Sequence, residues 1–231
     1  MVPASRYLQT RWGGDETACP GFLSWEQGRE AEAAKHPVRS TGKLADPSLR
    51  QDLLERVKLD QQVRASFIAA GMGKGAMSQA KALQRVDTDN LAFLRQTLAH
   101  GAFPDQGRVG KDGLDALFLL IQHADGDPGL QRAQLPHLQV LYRRHEVAGR
   151  DVALLTDRIR VHMHQMQVYG TQTQIGSGKI VLEKIEDPTH MEQRRAAMGL
   201  MPMRLYQGML RDMDFPPQAG AAAAGLSGQQ G

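Results

Sequence analysis

The stretch Gly113-Leu114-Asp115-Ala116-Leu117-Phe118-Leu119-Leu120-Ile121-Gln122-His123-Ala124-Asp125 decides how the chain folds. At about 100° per residue, Leu114, Leu117, Phe118, Leu119, Leu120 and Ile121 point in nearly every direction around a helix axis. A helix apolar all round has to be buried. The pattern predicts a central helix from Gly113 to about His123, capped by Asp112. Its unbroken apolar run, Ala116 to Ile121, falls far short of the roughly 20 residues a membrane span needs. No membrane partner is expected.

The punctuation on either side is helical. Asp46-Pro47, Asp127-Pro128 and Asp187-Pro188 each put a capping carboxylate before a residue suited to the first helical position. They predict a helix from 46 to about 70, one from 127 kinked at Pro136, and one from 187 ended by Gly199. Gly71, Gly73 and Gly75 close the first. Further helices are expected over 78–85, from 87 or 88 to Gly101, from 151 to about 168, and from 202 to about 213. Residues 103–107 read as a loop. Segments 171–175 and 180–185 flank Gly176-Ser177-Gly178-Lys179 as a small hairpin. The expected fold is mainly α: a single compact helical domain over 46–215, with a buried central helix and one small β-hairpin. Residues 1–45 lack a sustained period and read as an irregular extension, docked by Trp12 or Trp25. Residues 216–231, rich in Ala and Gly, read as a disordered low-complexity tail.

Composition narrows the classes. Of 231 residues, 41% are hydrophobic and 23% charged, ordinary values for a globular domain. Twenty-eight basic against 25 acidic residues leave +3, spread along the chain without a basic cluster. Nucleic acid is not an expected partner. The single cysteine, Cys19, excludes an intramolecular disulfide and a thiolate cluster. No secretory leader is readable at the start, so a cytoplasmic location is expected.

The informative residues are polar ones in apolar places. On the first helix Asp60 and Arg64 fall within the stripe of Leu49, Leu53, Val57, Phe67 and Ile68, spaced to pair with each other. They form either a buried ion pair that fixes packing or the edge of a ligand site. The central helix ends in Gln122-His123-Ala124-Asp125, three polar side chains leaving the most apolar part of the chain. His123 lies in the last turn, where the helix dipole favours the imidazolium. That setting suits a general acid or base, and equally a helix cap. Gln131 and Gln134 sit beside the stripe of Leu130, Leu135, Leu138 and Leu141, where bonding a loop is the first role and ligand contact the second. The densest cluster runs from Asp157-Arg158 to Gln167-Val168-Tyr169-Gly170-Thr171-Gln172. Its neutral donors and acceptors suit either a ligand wall or the satisfaction of loop backbone.

Several motifs fail. The Gly176–Lys179 segment lacks the remaining residues of a phosphate loop. Gly71-Met72-Gly73-Lys74-Gly75 follows a helix and not a strand. His162 and His164, two apart on a helix, point about 200° from one another. No metal or cofactor is expected. The methionines at 163, 166, 198, 201, 203 and 209 read as core filler.

An ordered set of motifs remains. Asp60-Gln61-x-x-Arg64, Val86-Asp87-x-x-Asn90 and His100-Gly101-x-x-Pro104 precede Gln122-His123-Ala124-Asp125. Gln131-x-x-x-Leu135-Pro136, Asp157-Arg158 and Gln167-x-Tyr169-Gly170-Thr171-Gln172 follow. Glu186-Asp187-Pro188 and Arg194-Arg195-x-x-x-Gly199-Leu200 complete it. The set, over roughly residues 46–213, resembles a bacterial family known only as a domain of unknown function. The resemblance implies no activity, substrate or cofactor. It groups the polar residues that burial arguments single out.

The expected site brings His123, Asp125, Gln167, Tyr169 and Gln172 around one pocket, with Asp60, Arg64, Asp157 and Arg158 beside it. The leading expectation is a hydrolase-type enzyme with His123 as acid or base. Asp125 or Asp157 would orient it, and Tyr169, Gln172 or an arginine would stabilise developing charge. Gln122, Gln131, Arg158, Gln167, Thr171 and Gln172 would contact a small polar or peptide-like ligand. The rivals are a non-catalytic ligand or peptide binding module and a structural interaction domain.

Overall fold

A computed structural model describes residues 21–35, 43–70, 76–99, 103–176 and 179–214. The helices among these residues are α1 (Phe22–Ala34), α2 (Pro47–Ala70), α3 (Ala76–Ala99), α4 (Gln106–Gln122), α5 (Pro128–Arg143), α6 (Gly149–His162), α7 (Met191–Ala197) and α8 (Met203–Asp214). One antiparallel pair, β1 (Thr173–Gly176) with β2 (Lys179–Leu182), lies between α6 and α7, in the register Thr173↔Leu182 to Gly176↔Lys179. The fold is mainly α with one small hairpin.

α4 is the central helix. Leu114, Leu117, Leu120 and Ile121 are all but fully buried, against Leu53 of α2, Leu94 of α3, Leu138 of α5 and Leu155 of α6. It packs along α2, α3, α5 and α6. A smaller cluster, Phe22 and Leu205 with Trp25 and Met201, docks α1 against α8.

The Asp-Pro starts act through side-chain caps. Asp46 Oδ1 accepts from the Leu49 amide at 3.0 Å, and Asp127 Oδ1 from the Leu130 amide at 2.9 Å. Asp187 differs. It accepts from Thr189 and His190 amides, closing a turn, and the helix begins only at Met191.

Other boundaries depart from expectation for local reasons. Residues 78–85 and the helix after 87 are one helix, α3, because no breaker separates them and Thr88 bonds back to the Gln84 carbonyl. α4 begins at Gln106 instead of Gly113. Asp105 caps that first turn, and Gly110, at φ 76°, turns the axis before Asp112 takes the Gly113 amide. α6 stops at His162, not near 168. Met163 and Met166 therefore stand exposed, not in the core. Residues 22–34, expected to be irregular, are helical.

α5 and α6 end alike. His145 and His164 adopt φ of 60° and 56°. Glu146 bonds back to Leu141 and Gln165 to Arg160, each across a Schellman turn. Glycine usually fills that position. α2 outruns the core: Phe67 and Ile68, on the expected apolar stripe, are exposed, Ile68 by 75%. Cys19, Trp12, Gly71, Gly73, Gly75, His100, Gly101 and the 216–231 tail lie outside the described residues.

Candidate active site

Two polar clusters form where one pocket is expected. The first gathers at the C-terminal end of α4. Asp60 of α2 has no exposed side-chain surface, yet it faces His123 across 63 residues of sequence. His123 Nδ1 lies 2.9 and 3.1 Å from the two Asp60 oxygens. Gln61 Nε2 donates to Asp60 at 2.8 Å and Arg64 Nε at 3.1 Å. Burial opposes the Asp60 charge, but the His123 hydrogen bond and charge, with Gln61 and Arg64, outweigh it. The carboxyl is held below its ordinary pKa.

The ionised carboxylate can only accept, so in the neutral ring Nδ1 carries the proton. Nε2 is then a base. It has no hydrogen-bond partner among the described residues, and the His123 side chain is 16% exposed.

Two carboxylate–guanidinium pairs share this surrounding field. In one, Arg64 Nη2 reaches Asp87 of α3. In the other, Arg158 of α6 sets Nη1 at 2.7 Å from both oxygens of Asp125. His162 Nε2 stands 3.8 Å from Asp125. Burial raises the Asp87 pKa; Arg64 pulls it down, and the Asp60 and Asp125 charges push it up again. The three carboxylates therefore share one field.

Gln131 ties this corner together. Its Nε2 donates to the Ile121 and Gln122 carbonyls at 3.1 Å and to Asp125 at 3.2 Å. It thus caps the Gln122 carbonyl at the end of α4 and adds a second donor to that of Ile121, which the Ala124 amide also bonds. Among the described residues, no group of three or more His, Cys, Asp or Glu is placed to hold a metal ion.

The second cluster surrounds Asp157, on a different face of α6 from Arg158. Its buried carboxylate accepts from the amides of Val168, Tyr169 and Thr171 and from the Thr171 hydroxyl, at 2.7–3.2 Å. Arg195 of α7, also buried, donates from Nη1 to the carbonyls of Tyr169 and Gly170 and from Nε to that of Met201. Tyr206 Oη donates to the Thr171 carbonyl at 3.1 Å. Gln167 accepts from the Gln172 amide and donates to the Gln172 and Glu183 carbonyls. Gln172 Nε2 donates to Thr171 Oγ1 and the Leu154 carbonyl.

Gly170 has φ 69°, and a Cβ there would lie 2.6 Å from Met203 Cε. Only glycine fits. Burial and the Asp157 charge raise the pKa of the Tyr169 hydroxyl. No hydrogen bond of residues 167–172 reaches His123 or Asp125.

The structure thus unites His123, Asp60, Arg64, Asp125, Arg158, Gln131 and the Gln122 carbonyl. Asp157, Gln167, Tyr169, Thr171 and Gln172 gather elsewhere. Sequence reasoning named Asp87 and Asn90 only within the motif set and His162 only as a rejected metal ligand, and assigned none of them to the site. A signal for the first two existed: Asp87, Asn90, Leu91 and Leu94 follow i, i+3, i+4, i+7 spacing on one face of α3. Two open grooves lie apart from His123. One, of about 340 Å³, is lined by Arg56, Asp89, Ala92, Phe93 and Gln96. The other, of about 490 Å³, lies between the end of α6 and the hairpin, at His164, Met166 and Val181.

A family model matches residues 47–215, which cover both clusters, and the chain belongs to that family, a family of unknown function (DUF6624). No curated protein and no solved structure matches it. No helix among the described residues is long and apolar enough to cross a membrane.

Proposed function

We propose that the chain is an acid–base enzyme acting on a small polar or peptide-like substrate, with His123 moving the proton. One observation carries this reading: the buried Asp60 carboxylate on His123 Nδ1, with Nε2 left open. A carboxylate so placed holds the tautomer and stabilises the imidazolium once Nε2 has taken a proton. Asp60 fills the orienting role, in place of Asp125 or Asp157. With no hydroxyl or thiol bonded to Nε2, water is the nucleophile this base activates. The guanidiniums of Arg64, bonded to Asp60, and of Arg158, bonded to Asp125, suit the developing negative charge. Asp157, Tyr169, Thr171, Gln167 and Gln172 serve as scaffold in this reading. Nucleic acid is no partner, since the charge surplus is small and unclustered.

The test is turnover of dipeptides, amides and aryl esters by wild type and His123→Gln. The variant is expected to lose about 10²–10⁴-fold. Turnover that survives it, or a rate that does not titrate with His123, ends the proposal.

A second reading, a non-catalytic module for a small ligand or peptide, draws on the two grooves, neither of which includes His123. It predicts ligand binding at full strength in His123→Gln and a Kd independent of His123 ionisation.

A further inference from the structure

Buried polar atoms normally have partners. Among the described residues three lack one: Asn90 Nδ2, Gln131 Oε1 and Arg158 Nε. Asn90 stands apart, its Oδ1 taken by Arg56 Nη1 at 3.2 Å. The other two, Gln131 and Arg158, both bond Asp125.

Gln131 is the most telling. Its side chain has no exposed surface. Exchanging its oxygen and nitrogen would set an oxygen against the Ile121 and Gln122 carbonyls and the Asp125 carboxylate. The amide orientation is therefore fixed, and the orphan is an acceptor. It belongs to the amide that touches Asp125, whose carboxylate is 52% exposed. An acceptor beside a partly free carboxylate calls for a cationic N–H donor.

Arg158 supplies the opposite sign. It uses one nitrogen, Nη1, for both Asp125 oxygens, where a guanidinium fork would use two. Its Nε is unpaired. The Asp125–Arg158 contact is an under-used pair, with a cation acceptor and an anion donor side by side. An ammonium and a carboxylate on one carbon carry the two complementary charges.

We propose that the corner formed by Asp125, Gln131 and Arg158 binds the α-amino acid head of a small ligand, its ammonium received by Asp125 and Gln131 Oε1 and its carboxylate by Arg158. This rests on the acid–base reading only in that the rest of the ligand then faces His123.

The test measures melting of the full chain with free L-amino acids, then with the N-acetyl derivative and the amide of whichever binds. A ligand at about ten times its Kd raises Tm by about 3 °C or more for a chain of this size. The expected result is that a free amino acid gives this rise. Its N-acetyl form and its amide should each bind at least tenfold more weakly, and Asp125→Asn should lose at least tenfold in affinity. No rise with any free amino acid, or equal binding of the N-acetyl form, overturns the proposal. Binding that persists in His123→Gln, with no turnover in wild type, leaves this site standing and removes the acid–base reading. Turnover that needs His123 but no α-ammonium does the reverse.

Discussion

The corner at His123 and the loop at Tyr169 are both rich in buried polar groups, and they differ in how completely those groups are satisfied. In the loop, Asp157 takes amides, Arg195 takes carbonyls, and Tyr206 takes the carbonyl of Thr171. A segment without regular structure thereby hides its backbone at little cost. At His123 an imidazole nitrogen, an amide oxygen and a guanidinium nitrogen are left over. A closed network is scaffold. One that stops short has something still to bind.

The sharpest way to break this contrast is Asp157→Ala. It strands three amides and a hydroxyl, and is expected to cost about 3–5 kcal/mol, on the order of 10 °C in Tm. A loss within about 2 °C would show that water replaces Asp157 easily and that the loop is not closed.

Acid stability separates the regions next. The Asp60 pKa is lower in the folded state than its ordinary value of 3.8. Its stabilisation is present above that value and is lost as pH falls through the folded pKa. Removing the imidazole removes the first of the lowering influences on Asp60. Wild type should therefore lose more Tm between pH 4 and pH 2 than His123→Gln does. Equal losses would show that the pair carries no such linkage.

His145 and His164 test the helix ends between the clusters. Each holds a left-handed conformation that glycine adopts without a Cβ clash. His145→Gly and His164→Gly should each stabilise by about 1 kcal/mol, or about 2–4 °C. A fall in Tm would mean that the imidazole makes contacts outweighing its strain.

The smallest effect is expected at His123 itself. His123→Gln should leave Tm within about 2 °C, because the glutamine amide can donate to Asp60 in place of Nδ1 and the open Nε2 has no partner to lose. A fall like that of Asp157→Ala would place His123 in the scaffold and erase the contrast.

Much of this was legible along the chain. Asp46 and Asp127 cap their helices through bonds to residues three positions on, and local chemistry of that reach can be read directly. The Leu114–Ile121 run told its own burial. Asp60, Arg64, His123 and Gln131 stood out as polar among apolar neighbours, and burial keeps each of them partnered. Legibility failed where a boundary rested on a residue playing another's part, as histidine plays glycine at 164. It failed also where α2 outran its core, leaving Phe67 and Ile68 exposed.

The sequence by itself determined the helical class, the buried central helix and which polar residues sit against the core, because periodicity and capping act over three or four residues. Only the tertiary structure decided who meets whom. Asp60 and His123 are 63 positions apart, and their contact depends on how α2 crosses the end of α4. Asp157 and Arg158 are neighbours in the chain, but a helix turns each residue about 100° from the last. That rotation sends one to the closed loop and the other to the open corner.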